Sequence, residues 1–135
     1  MTQSEEEMQI DNPEVKAEVE AAFARYEAAL VTNDVPTLEA LFWDNGRTIR
    51  YGGAENLYGM EAIRAFRRAR SPVGVERRVG ETVITTFGRD FATASTLFWR
   101  DTAPGKVGRQ MQSWARLPEG WRVVAAHVSI IDEPR

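Results

Sequence analysis

A phenol, an imidazole and several guanidinium groups are the side chains here whose types and spacing could do chemistry. Tyr26 stands at helical spacing with Val15, Val19, Phe23 and Leu30, so it belongs to an apolar stripe. There it either packs in the core with its hydroxyl reaching a surface partner, or ends in a pocket as a proton donor or acceptor. Arg50 lies in "RTIRY", residues 47–51. Successive side chains of a strand point to opposite faces, so Thr48 and Arg50 share one face and Arg47, Ile49 and Tyr51 the other. If Ile49 and Tyr51 pack in the core, Arg50 faces solvent or another subunit. If Thr48 and Arg50 face a polar cavity, Arg50 is an anion clamp. It then needs a carboxylate partner or a ligand, because an unpaired buried charge is costly. Periodicity leaves both arrangements open.

The third helix contains Ile63, Phe66, Arg67 and Arg70, and Arg70 shares the side of Ile63 and Phe66, which places it at a pocket rim in one reading. With Arg64 and Arg68 beside them, the ordinary role of so basic a run is a solvated face. Further along, Arg109, Met111 and Ser113 alternate with Gln110, Gln112 and Trp114. In the last apolar run, Trp121, Val123, Ala125, His127 and Ser129 share one face, and Val124, Ala126, Val128 and Ile130 the other. His127 titrates near neutrality when unperturbed, so it could bind a carboxylate or move a proton. Its ordinary alternative is a structural histidine bonded to a backbone carbonyl. Tyr26, Arg50, Arg70, Arg109 and His127, with Ser129 beside His127, suit a small anionic molecule, since guanidinium forks match carboxylates in two-point contacts.

Other chemistries lose support. With no cysteine and a single histidine, disulfides, thiolate sites, cysteine nucleophiles and multi-histidine metal sites are excluded within one chain. No metal and no cofactor is therefore expected. Asp44, Asp101 and Glu119 form no convincing acid–base pair for glycoside hydrolysis. There is no glycine-rich phosphate loop and no nucleophile elbow. The net charge of -3 gives no reason to expect nucleic acid. No apolar run approaches membrane-spanning length, and the acidic start "MTQSEEEMQIDN" lacks the regions of a signal peptide. A cytoplasmic protein is expected.

These side chains must be positioned by one domain, which 135 residues suit. Residues 1–11 read as a flexible acidic lead-in and 12–135 as a single domain. Asn12-Pro13 starts a helix that runs to about residue 32. A short second helix spans about Val35–Phe42, and a third runs from Met60 to about Ser71. "AENLYG" is a loop or a short strand. Four extended runs follow, separated by "GRD", "APG" and "PEG", which is hairpin chemistry. Helices first and strands last predict an α+β fold: a strongly curved, mainly antiparallel sheet with three N-terminal helices across its concave face. Such a sheet can close as a cone with a ligand pocket at its open end.

From about residue 12 to 132 the chain resembles the SnoaL-like kind of the nuclear-transport-factor-2-like superfamily, with "GRQMQSWARLPEGWRVVAAHVS" as its closing hairpin. The pattern is also similar to the association domain of calcium/calmodulin-dependent kinases. "LFWDNGRTIRYGGAENLYGMEAIRAFRRAR" and "TTFGRDFATA" look like the AtzH/HpxZ group of cyanuric acid and oxalurate catabolism. The resemblance implies a cone-shaped α+β barrel, assembled as a homodimer through the sheet or as a dimer of dimers. It also implies cofactor-independent decarboxylation of 1,3-dicarboxyurea to allophanate. Tyr26 and Arg50 match the pocket tyrosine and arginine of that group. The alternatives are a role in oxalurate breakdown, a non-catalytic anion-binding or assembly module, and another pocket reaction on the same fold.

Overall fold

A computed structural model describes residues 8–72 and 75–134. Helix α1 spans Pro13–Val31. Asn12 caps it, its Oδ1 accepting from the amides of Glu14 at 3.0 Å and Val15 at 3.3 Å, and Pro13 fits the first turn because that turn needs no amide donor. Its buried stripe is Val15, Val19, Ala22, Phe23, Tyr26, Ala29 and Leu30, as the spacing predicts. Asp34 caps α2, Val35–Ala40, which stops short of the expected Phe42. Leu41 and Phe42 continue into the core instead. Helix α3, Met60–Ala69, ends one residue before the extended Arg70. Gly59 caps its start with a φ of 87°, which suits a residue without a Cβ.

Strands β1 (Ile49–Tyr51), β2 (Asn56–Tyr58), β3 (Arg78–Phe87), β4 (Phe91–Trp99), β5 (Lys106–Leu117) and β6 (Gly120–Asp132) form one sheet in the order β2-β1-β6-β5-β4-β3. The four C-terminal strands are consecutive and antiparallel. The pairing of β1 with β6 is parallel, so the sheet is mixed; it is curved but not closed. The side facing the helices carries Ala92, Ala94 and Phe98 of β4, Trp114 of β5, and Trp121, Val123 and Ala126 of β6, all buried. Of the lead-in expected over residues 1–11, residues 1–7 lie outside the described residues. Ile10 bridges Phe87, and Asp11 exchanges hydrogen bonds of 3.0 Å with Thr86.

A bulge decides which residues of β6 face the helices. Ser113 pairs with Ala125 but Trp114 with Val123, leaving Val124 as the extra residue. An extra residue breaks the two-residue alternation. Trp121 and Val123 therefore face inward, while Ala125, His127 and Ser129 lie on the other face. The strict alternation read from the sequence put all five together.

Candidate functional site

The groups that meet between the helices and the sheet are a phenol and a set of guanidiniums. Tyr26 reaches in from α1 and is 3% exposed. Its ring lies 6.2 Å from that of Phe42. Arg50 of β1 is buried, which resolves the ambiguity of "RTIRY": Arg50 points inward with Thr48, and Arg47 stays outside against the Trp43 ring. The Arg50 Nη1 donates to Glu55 Oε1 at 2.8 Å, and its Cζ stands 5.3 Å from the centre of the Phe66 ring. Arg77, just before β3, donates from Nε to Glu27 Oε2 at 3.2 Å and from Nη2 to Gln110 Oε1 at 2.9 Å. A second, shorter Nη2 bond joins it to Glu27.

The basic face of α3 divides in two. Arg68 forks onto Glu39 at 2.9 and 3.1 Å, and Arg64 reaches Asp44 at 3.2 Å. Arg67 turns inward beside Met60 and Ile63 and is only 1% exposed. Its Cζ lies 4.8 Å from the centre of the Phe42 ring. Arg70 is half-buried behind it. Arg100 stacks 4.8 Å and Arg77 4.4 Å from the centre of the Phe98 ring. Arg50 and Arg77 thus have carboxylates; among the described residues Arg67, Arg70 and Arg100 have none.

The charges act on one another. Burial pushes the Tyr26 hydroxyl up, but Arg67, Arg50 and Arg77 together outweigh it and hold the phenol below its ordinary value of 10.0. Burial first, then Arg67 and Arg50, push Arg70 down to about 10. Burial and Arg77 likewise lower Arg100. A phenol with a lowered pKa is a better proton donor, and its conjugate base finds cations waiting. Among the described residues, no group of three or more His, Asp or Glu is placed to hold a metal ion.

Of the residues singled out from the sequence, Tyr26, Arg50 and Arg70 come together here. Arg109, His127 and Ser129 do not join them within one chain. Arg109 alternates with the inward Gln110 and is exposed, donating from Nε to Ser129 Oγ at 3.2 Å. The β6 bulge turns His127 outward, where its ring meets Tyr51 edge-on at 5.9 Å. That outer face has a hollow of about 340 Å³ lined by Tyr51, Met111, Ala125 and His127. A larger cavity of about 700 Å³ opens between the end of α1 and the starts of β3 and the β4–β5 turn. Arg77 lines it and also belongs to the interior network.

Sequence reasoning missed Arg67, Arg77, Arg100 and Gln110 as parts of this cluster. Arg67 had a signal: it stands four residues after Ile63 and seven after Met60, on the buried stripe of α3. A guanidinium at such a position needs either a carboxylate or a ligand.

The family described as AtzH-like matches residues 8–134. A DUF3225-family protein of unknown function from Pectobacterium atrosepticum is similar at 54% identity, with 93% of this chain and 99% of that one covered and a TM-score of 0.90. A cystatin-like fold protein from Burkholderia xenovorans is similar at 53% identity, covering 94% and 99%, also with a TM-score of 0.90. A nuclear-transport-factor-2-like protein from Pseudomonas putida shares 16% identity over 90% of this chain and 88% of its own, with a TM-score of 0.72; at that identity the likeness shows the fold alone. No curated protein matches the chain.

Proposed function

The chain belongs to the AtzH-like family, and from that membership we propose that it is a cofactor-independent decarboxylase of 1,3-dicarboxyurea, releasing allophanate. The observation that carries this reading is the convergence of Tyr26 and Arg50 in a cationic interior whose guanidiniums outnumber its carboxylates. Such an interior favours an acceptor-rich anion.

Arg50 orients one N-carboxylate with the fork not spent on Glu55. The bond between nitrogen and the carboxylate carbon breaks, its electron pair stays on nitrogen, and carbon dioxide leaves. The Tyr26 hydroxyl gives its proton to that nitrogen. The resulting phenolate is stabilised by the neighbouring guanidiniums until solvent returns a proton. One dianion and one proton thus become one monoanion and carbon dioxide. Donors held in place for developing charge lower the barrier without reorganising.

The active unit in this proposal is a homodimer through the outer sheet face. Met111 is 61% exposed there, beside His127 and Tyr51. Arg109, His127 and Ser129 then serve that interface rather than the interior of their own chain. The test of the activity is carbon dioxide release from freshly generated dicarboxyurea, with oxalurate-pathway intermediates as comparators. Release well above the uncatalysed rate is expected only with dicarboxyurea. No acceleration with it, or preference for a comparator, ends the proposal.

A further inference from the structure

Taking its ligand from the decarboxylase reading, we propose that Arg67, backed by Arg70, receives the substrate's second carboxylate and makes the site select dianions over monoanions. The Nε, Nη1 and Nη2 atoms of Arg67 are all buried and meet no carboxylate or carbonyl in hydrogen-bond geometry among the described residues, and the same holds for Nε and Nη2 of Arg70; the polar group beside Arg67 is the Tyr26 hydroxyl, which it holds below its ordinary pKa. A buried guanidinium left without a counter-charge is strongly unfavourable. The Phe42 ring beneath Arg67 offsets part of that at most. The outer arginines of the same helix, Arg64 and Arg68, are paired with Glu39 and Asp44. Among the described residues, the deepest guanidinium of α3 is thus the one left without a carboxylate.

The remaining orphaned atoms of β5 point to the same kind of ligand. Gln112 Oε1 accepts from Trp114 Nε1 at 3.1 Å, and Gln110 Oε1 accepts from Arg77 at 2.9 Å. Those bonds fix both amides, so each leaves its Nε2 as a donor that is buried and unpartnered among the described residues. Donors without acceptors call for a ligand that supplies acceptors. Arg50 is already partly neutralised by Glu55 and suffices for one carboxylate. Arg67 and Arg70 have no such partner and fit the other. Loss of carbon dioxide removes one carboxylate, so the product fits this site less well than the substrate and leaves.

The test is calorimetric titration with glutarate, an unreactive dianion whose carboxylates are as far apart along the chain as those of dicarboxyurea, and with butyrate, its monoanionic counterpart. Wild type is expected to prefer glutarate by about ten- to a hundredfold, the scale of hydrogen bonds to a charged group. Arg67→Gln should reduce that preference to within severalfold while leaving butyrate binding nearly unchanged. Arg67→Met swaps the unpaired charge for an apolar side chain and should melt no lower than wild type. It must show the same loss, so a glutamine variant that fails to fold leaves the test intact. A wild-type preference retained by either folded variant overturns the assignment. Dicarboxyurea turnover, measured alongside, separates the two claims. An Arg67-dependent preference without turnover sinks the decarboxylase alone; turnover with a preference indifferent to Arg67 sinks the receptor alone.

Discussion

Tyr26 is where the site is most sharply testable. Its ring is held by packing against Phe42, so Tyr26→Phe should fold normally and lose at most about 0.5–1.5 kcal/mol of stability, one hydrogen bond's worth. Turnover should fall by roughly two orders of magnitude, the scale of a positioned acid. Near-normal turnover would return Tyr26 to a packing role. The guanidiniums lower the phenol's pKa, so Tyr26 ionises at lower pH than a free tyrosine. A proton donor is lost on ionisation, so kcat/KM should decline as pH rises through a value below 10.0. The absorbance titration of tyrosinate, wild type minus Tyr26→Phe, should show a step at that same pH. Tyr51 should titrate separately and later, because its hydrogen bond with Tyr58 pushes it up. Arg50→Lys keeps a charge but loses the fork shared between Glu55 and ligand. It should cut kcat/KM by about tenfold or more, as loss of a charge-assisted hydrogen bond does; a wild-type value would remove Arg50 from substrate binding.

At the level of elements, α1 was legible because Tyr26 shares the period of an uninterrupted apolar stripe. The direction of Arg50 was not, since a three-residue strand has too few alternations to reveal its buried side. His127 and Ser129 were misplaced for a different reason. The bulge at Val124 is carried by an apolar residue inside an apolar run, and nothing in the run marks it. Gly108 shows how strand packing sets up the charges: a Cβ there would lie 2.0 Å from Phe98 Cζ. Phe98 in turn supports Arg77 and Arg100. Gly108→Ala should therefore displace that ring and cost about 1–3 kcal/mol, as over-packing does. A thermal melt would record the loss. An unchanged melt would mean that the ring has room to yield.

For the molecule as a whole, the outer sheet face carries the dimer proposal. Met111 sits near its centre, paired across from His127. Met111→Arg puts like charges face to face in a two-fold contact, where each patch meets its own copy. Sedimentation at micromolar concentration should show wild type as a dimer and the variant shifted to the 15.2 kDa monomer. A monomeric wild type would remove the interface. The parallel pairing of β1 with β6 bears on the order in which this protein can be made. Arg50 is registered against Ala126, a partner 76 positions further along the chain. Contacts that distant in sequence form slowly, because a long loop must close first. During synthesis the first half of the molecule emerges with its cations on α3 and β1 and no sheet to hold them. Ribosome-stalled chains that stop before β6 should then bind no glutarate, and affinity should arise abruptly once that strand has cleared the exit tunnel.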